Sequence, residues 1–397
     1  MASFRVDFLG CKVSHADVQV VREALLADGH VEAGSASADV AVISGCCVTN
    51  EALAKSRKAA ARAARTHARV YLTGCAANLA DAALAGLPAS VTVVARRSEE
   101  TAAFVAGDVA AIGCVQADAR LDRVRAFVKI QDGCSFSCNF CVIPLVRGAS
   151  RSRRADAVLR EIRRRVEQGH REVVLTGINL GCFRDREAGY DLSRLVREAG
   201  AVDGLARLRI SSIEINHVDA KLVSALRETP TVGKHLHVPL QSGDDAVLRA
   251  MARRYDSATY LRRLESLGDF NLTTDVIVGF PAEDEAAFER TVGVIERAGI
   301  SSVHVFPYSP RPGTQTEHDD RVPAAAKHER GARLRALSRE LSERRWHRKL
   351  GRPDVVLVDR PGRGYGDDYT PWLVDAPVGE LVRVRAAAVT EEGILAA

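Results

Sequence analysis

Val128-Lys-Ile-Gln-Asp-Gly-Cys134-Ser-Phe-Ser-Cys138-Asn-Phe-Cys141 sets three thiols within eight residues, directly behind the apolar run Ala126-Phe-Val-Lys-Ile130. The run reads as a β-strand and the triad as the loop that leaves it. Three soft ligands and no fourth is the informative part. A structural zinc site wants four protein ligands, whereas a cubane iron-sulfur cluster held by three cysteines leaves one iron open to something that is not protein. A zinc knuckle completed by a distant His or Cys, and plain burial of small apolar side chains, are the other readings of the same spacing.

Downstream of this stretch, strand and helix patterns alternate six times. Strands are expected at 126–131, 172–177, 208–213, 235–240, 273–279 and 302–307. Helical periodicity fills the gaps at 155–168, 192–199, 220–228, 260–267 and 285–298. Six βα units in about 220 residues predict an incomplete TIM-like barrel, whose chemistry belongs at the carboxyl ends of its strands. The triad follows the first of those ends.

Upstream lies a weak repeat. Phe4-Arg-Val-Asp-Phe-Leu-Gly-Cys11, Asp39-Val-Ala-Val-Ile-Ser-Gly-Cys46 and Arg69-Val-Tyr-Leu-Thr-Gly-Cys75 are each a short apolar strand closed by Gly-Cys. Helical patterns at 16–28 and 51–66 separate them, so the order is βαβαβ and the sheet parallel. Strand carboxyl ends share one edge in such a sheet, which brings Cys11, Cys46 and Cys75 together from positions about 30 residues apart. A shared metal cluster is the reading of that convergence, against three unrelated reduced thiols or a zinc ion. Behind a basic helical stretch ending near Leu350, the short β runs Val355-Val-Leu-Val358 and Leu381-Val-Arg-Val-Arg385 flank a Gly-rich turn and predict a small β-barrel. The fold class is therefore α/β in three domains: a parallel-sheet domain at 1–115, a partial TIM barrel of six βα units at 120–350, and a β-barrel at 351–397.

With 46% apolar and 27% charged residues the chain has an ordinary globular composition. Its longest apolar runs fall far short of the roughly 20 residues a membrane span needs, and no basic-then-apolar leader precedes Arg5, so a cytoplasmic protein without a membrane partner is expected. Nine cysteines, an odd number, point to metal or thiolate chemistry rather than to disulfides. The net charge of +5 is concentrated, with lysine and arginine crowding 55–69, 147–165 and 327–349. Such runs are usually solvated helix faces, but three of them make a polyanionic partner worth carrying.

By its CxxxCxxC loop the chain resembles the radical S-adenosylmethionine (SAM) superfamily. The resemblance narrows with Val128 to Arg147-Gly148, Ser150-Arg-Ser-Arg153, Leu175-Thr-Gly-Ile178, Arg209-Ile-Ser-Ser-Ile-Glu214, His235-Leu-His-Val-Pro-Leu-Gln-Ser-Gly243 and Asp275-Val-Ile-Val-Gly-Phe-Pro281. These look like the methylthiotransferases, which carry a three-cysteine domain before the barrel and a small RNA-binding TRAM barrel after it. Leu9-Gly-Cys-Lys-Val13, Cys46 with Val48-Thr-Asn-Glu-Ala52, and Ile210 to Glu214 look most like the branch acting on N6-threonylcarbamoyladenosine beside the tRNA anticodon. The isopentenyladenosine branch is the alternative, and the branch modifying an aspartate of a ribosomal protein is less similar. A radical-SAM enzyme with another substrate, and a zinc-stabilised RNA-binding protein without catalysis, are the readings outside the family.

The resemblance implies two 4Fe-4S clusters and SAM as cofactors. It assigns Cys134, Cys138 and Cys141 to the catalytic cluster that cleaves SAM, and Cys11, Cys46 and Cys75 to a second cluster that delivers sulfur. It further implies tRNA and an external electron donor as partners, and no DNA. Strand-end positions nominate Thr176, Gly177, Glu214 and Gln241 as SAM contacts, against a surface carboxylate or a loop-capping amide for the last two; Arg253 and Arg254, after Met251, suit a SAM carboxylate or a tRNA phosphate, against plain solvation, and Asp275 reads as structural or functional alike. Three features depart from the family pattern. Cys47 adjoins Cys46, which is preferred because it holds the Gly-Cys strand-end position. Ser14 and Ser44 stand where asparagine is usual. The final barrel carries five arginines against eight acidic residues from Arg352 onward, which shifts expected phosphate binding to the basic runs 147–165 and 327–349. Cys114 and Cys182 read as spectators.

Overall fold

A computed structural model describes residues 2–33, 38–79, 81–95, 98–110 and 124–397; Cys114 and the expected boundary between 115 and 120 lie outside them. The chain forms two compact units. One gathers the N-terminal residues with Gly133–Ser150 and Ser309–His318. The other holds the strand Arg125–Lys129 and the short Gln131–Asp132, then Arg151–Tyr308 and Asp319–Ala397.

The first unit is built on a five-stranded parallel sheet in the order Val31–Glu32, Ser3–Phe8, Val40–Gly45, Arg69–Gly74, Val91–Val93. Every residue of the central strand is buried, as expected of a parallel strand covered on both faces. Its alternation divides the core. Val40 and Val42 pack with Val21, Leu25 and Val105 from the helices Lys12–Ala27 and Ser98–Ala110. Ala41 and Ile43 face Ala60 of the helix Asn50–Ala63. Thr49 caps that helix, its hydroxyl accepting the Ala52 N–H at 3.1 Å. Lys12–Ala27 starts four residues earlier than its periodicity predicts, because Cys11 takes the N-cap without a side-chain hydrogen bond and so carries none of the usual start signal.

The second unit contains six parallel strands in chain order: Arg125–Lys129, Glu172–Thr176, Arg207–Ile210, His235–His237, Asn271–Val278 and Ser302–Pro307. Single bridges, Leu208 to Val232 and Ser212 to His237, join the third strand to the fourth. The barrel is open between the first and sixth strands, and the six βα units stand as the sequence predicts. Helices such as Ala155–Glu167 bury Val158, Leu159 and Ile162 against the strands, contributing to one continuous core. The helix Ala324–His347 leads into a closed five-stranded barrel, Pro353–Arg360, Arg363–Tyr365, Pro371–Leu373, Leu381–Thr390 and Gly393–Ala396, around Val356, Val358, Trp372 and Ile394.

The acidic excess of this last barrel is spent within the unit. Asp359 pairs with Arg125 at 2.7 Å, Asp367 with Arg207 at 3.3 Å, and Asp368 with Arg345 and Lys349 at 2.8 and 2.6 Å. At the amino end of the open barrel, the buried carboxylate of Glu172 meets Arg209, Arg207 and Arg125 at 3.0, 3.2 and 3.3 Å. Arg207 and Arg209 continue to the carbonyls of Val355 and Gly366 at 2.6 and 2.7 Å. Burial raises the Glu172 carboxyl, but Arg209, Arg125 and Arg207 outweigh it and hold it below the ordinary value.

Candidate functional site

The sheet of the first unit sets the geometry of Cys11, Cys46 and Cys75. In register, Phe8 pairs with Ser44 and Gly45 with Gly74, so the three cysteines leave the same edge. Gly74 has φ +81°, and a Cβ there would lie 2.6 Å from the Ser44 hydroxyl and 2.9 Å from the Gly45 carbonyl. The repeated Gly-Cys is therefore a close-packing requirement. Cys46 is fixed by Ser56, whose hydroxyl accepts its N–H at 2.9 Å and donates to its carbonyl at 3.1 Å. Ser14, one of the two serines in an asparagine position, lies with its hydroxyl 3.9 Å from the Cys11 sulfur.

The three thiols feel one another. Burial raises the Cys46 thiol and neighbouring Cys11 adds to it. Burial pushes Cys75 up to about 11, with Arg147 opposing and Cys11 and Cys46 adding. Cys47 is fully buried in an apolar cluster with Cys75, Ala76, Val142 and Val146. That burial, with Cys75 and Cys46 beside it, drives its thiol far above the ordinary value. Cys46 is half-buried and Cys11 exposed, whereas Cys75 is buried beside Cys47.

The CxxxCxxC loop belongs to this same unit. Its three thiols are half-buried. The loop is closed by Cys134 N–H to the Gly148 carbonyl at 3.0 Å and Ser150 N–H to the Ser135 hydroxyl at 3.0 Å. Gly133, with φ +68°, lies where a Cβ would meet the Ala149 carbonyl oxygen at 2.2 Å. A short helix, Ile143–Arg147, follows Cys141, and its Val146 and N-cap residue Val142 pack on Cys47 and Cys75. Arg147 ends that helix with its Nε donating to the Cys75 sulfur at 3.0 Å and its Nη2 to Asp17 at 2.9 Å. Arg311 is 2% exposed and donates to the Cys47 carbonyl at 3.1 Å. Two sets of soft sulfur donors, three at neighbouring strand ends of the sheet and three in one loop, are the number that suits two iron-sulfur clusters each keeping an iron open.

The remaining nominated residues lie in the second unit. Thr176 is buried at its strand end. The close approach at Gly177 is to Gln131, whose carbonyl and side-chain oxygens would each lie 3.0 Å from a Cβ. Glu214 caps the turn Ile215–His217 and pairs with Arg253 at 3.3 Å. Gln241 holds φ +65°, a strained conformation for a non-glycine residue of the kind that concentrates at functional sites. Among the described residues, one group of three ligand-type atoms lies within 4.8 Å of one another: His237, Asp275 and His304. Both imidazoles contact Asp275 Oδ1, at 3.1 and 3.2 Å, and Thr273 joins His237 to His235 at 2.9 and 3.0 Å. These side chains alternate with Leu272, Val276 and Val278, which face the helices, and so give the inside of the barrel a polar wall. Burial raises Asp275, but His237 and His304 hold it far below the carboxylate range.

Arg147, Asp17 and Arg311 escape a sequence reading, and the signal for Arg147 was misassigned. It opens a basic run expected to bind phosphate, yet its side chain is 7% exposed. In the same run Arg153, Arg154, Arg160 and Arg165 are paired with carboxylates. In the third run Lys327, Arg330, Arg333, Arg344, Arg345 and Lys349 are paired as well. Lys58, Arg62 and Arg65, along and just past Asn50–Ala63, stay exposed at helical spacing.

A profile of the radical SAM superfamily matches residues 128–295, and one described as Uncharacterized protein family UPF0004 matches residues 3–95. The Threonylcarbamoyladenosine tRNA methylthiotransferase MtaB of Thermotoga maritima is 31% identical, covering 100% of this chain and 96% of that protein. The tRNA-2-methylthio-N(6)-dimethylallyladenosine synthase of Clavibacter michiganensis is 34% identical, covering 92% of this chain and 74% of that protein. The solved structure of the radical S-adenosylmethionine methyltransferase TsrM from Kitasatospora setae, with tryptophan and a SAM analogue bound, shares the fold at a TM-score of 0.59 and 12% identity over 80% of this chain and 75% of that one. No helix among the described residues is long and apolar enough to cross a membrane.

Proposed function

Because the chain belongs to the radical-SAM methylthiotransferase family, we propose that it adds a methylthio group to C2 of N6-threonylcarbamoyladenosine beside the anticodon of tRNA. The observation that carries this reading is the gathering of two cysteine triads in one compact unit. Radical formation alone calls for one triad; a second, on its own sheet edge, is the provision for sulfur.

In this reading Cys134, Cys138 and Cys141 hold the catalytic 4Fe-4S cluster and Cys11, Cys46 and Cys75 the second one. When bound, the clusters and SAM supply a one-electron cleavage and a transferable sulfur, which an aromatic C–H needs because no side-chain base can deprotonate it. The chain's own residues do the rest. Glu214 and Arg253, paired at 3.3 Å, offer a carboxylate and a guanidinium fork to the amino-acid end or ribose of SAM. Thr176, Gly177 and the strained Gln241 close the strand ends around it. An external reductant supplies the electron.

Identity does not choose the acceptor base, since relatives named for threonylcarbamoyladenosine and for dimethylallyladenosine match at 31% and 34%. The polar wall formed by His235, Thr273, His237, Asp275 and His304 favours the former. A threonylcarbamoyl arm brings a carboxylate, a hydroxyl and amides that such a wall can bond, whereas an apolar arm offers it no hydrogen-bonding group. Exposed Lys58, Arg62 and Arg65 suit tRNA phosphates.

Two measurements test the proposal. Anaerobically purified protein is expected to hold about eight irons, as two cubanes require; stoichiometric zinc without iron would overturn the enzyme reading. Cys134→Ala should abolish SAM cleavage, while Cys75→Ala should retain it and lose sulfur insertion. Loss of cleavage in both, with the catalytic cluster still assembled, would contradict the division of labour.

A further inference from the structure

The guanidinium of Arg147 reaches a sulfur of one triad from the chain segment that follows the other. It sits six residues beyond Cys141 at the end of the helix Ile143–Arg147, and its Nε donates to the Cys75 sulfur at 3.0 Å. Its other arm donates to Asp17 Oδ2 at 2.9 Å, with the arginine side chain 7% and the aspartate 12% exposed. Val146 of the same short helix and its N-cap residue Val142 pack on Cys75, Ala76 and Cys47. The helix is thus held to the sheet edge by apolar packing and to one sulfur by a charged hydrogen bond. A buried guanidinium on a basic chain could satisfy itself with the carboxylate alone; here it is shared between a carboxylate and a thiol.

We propose that Arg147 is the positioning residue that registers the loop of Cys134, Cys138 and Cys141 against the sulfur of Cys75, and that its charge stabilises the reduced second cluster. The inference rests on the reading of Cys11, Cys46 and Cys75 as ligands. A cation donating to a ligand sulfur favours the more negative, reduced state of a cluster, because hydrogen bonds and charge near the sulfurs set its potential. Asp17 fixes where the guanidinium points. A basic run at the surface would do neither.

The test uses the full chain carrying Cys134→Ala, Cys138→Ala and Cys141→Ala, so that only the second cluster assembles, with and without Arg147→Gln. Potentiometric titration followed by electron paramagnetic resonance reads the cluster directly. In the Arg147→Gln chain the ratio of reduced to oxidised cluster at a fixed potential should fall about tenfold, a shift of roughly 59 mV to more negative potential for one electron. Arg147→Lys, which keeps the charge, should stay close to the parent. Equal potentials in the parent and Arg147→Gln chains would overturn the proposal, and so would loss of iron from both Arg147 variants with the fold retained by circular dichroism, since bulk alone would then explain the residue. Loss of iron from Arg147→Gln with retention in Arg147→Lys would support the charge role. If the parent of this series holds no cluster, the ligand assignment fails instead, and the two failures are distinct. In the chain with all six cysteines, Arg147→Gln should raise the ratio of 5′-deoxyadenosine formed to methylthio product; an unchanged ratio would refute the registering role.

Discussion

Replacing Glu172 by glutamine removes one charge from a site where three guanidiniums converge. The carboxylate is 1% exposed and lies 3.0, 3.2 and 3.3 Å from Arg209, Arg207 and Arg125. Glutamine preserves the shape and one acceptor, so the loss is almost wholly electrostatic: three buried cations remain, facing one another. Breaking a buried ion pair typically costs about 3–5 kcal/mol. The arginines keep Asp359 and the carbonyls of Val355 and Gly366, which argues for the lower end, about 3 kcal/mol. For a unit of this size each kcal/mol moves the midpoint by about 2–4 °C, so the second unit should melt roughly 6–12 °C lower. Urea denaturation of the reduced, metal-free chain followed by circular dichroism reads the change. Limited proteolysis should cut near residue 350 sooner, because the same arginines hold the C-terminal barrel. Glu228→Gln, at an exposed pair with Arg197, is the control and should leave the midpoint in place. A change below about 1 kcal/mol for Glu172→Gln would refute the view that this carboxylate neutralises the arginine cluster.

Gly74→Ala should destabilise the first unit by about 1–3 kcal/mol, since φ is +81° and the new methyl would lie 2.9 Å from the Gly45 carbonyl oxygen; a chemical denaturation curve checks it. The carboxyls of half-buried Asp275 and buried Asp368 are held far below their ordinary value, the first by His237 and His304 and the second by Lys349 and Arg345, in each case against a rise from burial. A depressed folded value makes their contribution complete above about pH 5 and lost as pH falls through 4 and below. Asp368→Asn should therefore flatten the acid limb of the stability profile, and an unchanged limb would count against the pairing. Changing Lys58, Arg62 and Arg65 to alanine should lower the slope of log affinity for tRNA against log salt by about 1 per lost phosphate contact, measured by filter binding.

The architecture was largely legible because its signals are local. Short apolar runs and glycine punctuation mark the six barrel strands, and Gly-Cys closes three strands whose parallel register brings the cysteines to one edge. Helix starts were less so: Lys12–Ala27 begins behind a cysteine that caps nothing, and Asp245–Ala250 is too short for its periodicity to register. What composition obscured was the destination of charge. Eight acidic residues in the last barrel suggested a poor RNA surface, yet Asp354, Asp359, Asp367 and Asp368 are turned to lysine and arginine of their own unit. Arg147 reads as one more cation in a basic run, and only three-dimensional packing reveals its partners, Asp17 and Cys75, at separations of 130 and 72 residues. Long-range pairing of this kind leaves no periodic trace in a sequence.

The most direct test of the central claim is mass spectrometry of tRNA nucleosides from a host lacking its own methylthiotransferases, with and without this chain. The account predicts that methylthio-threonylcarbamoyladenosine forms only when the chain is present, at the expense of threonylcarbamoyladenosine, and that isopentenyladenosine stays unmodified. Methylthiolation of isopentenyladenosine alone, or of neither nucleoside, would contradict it.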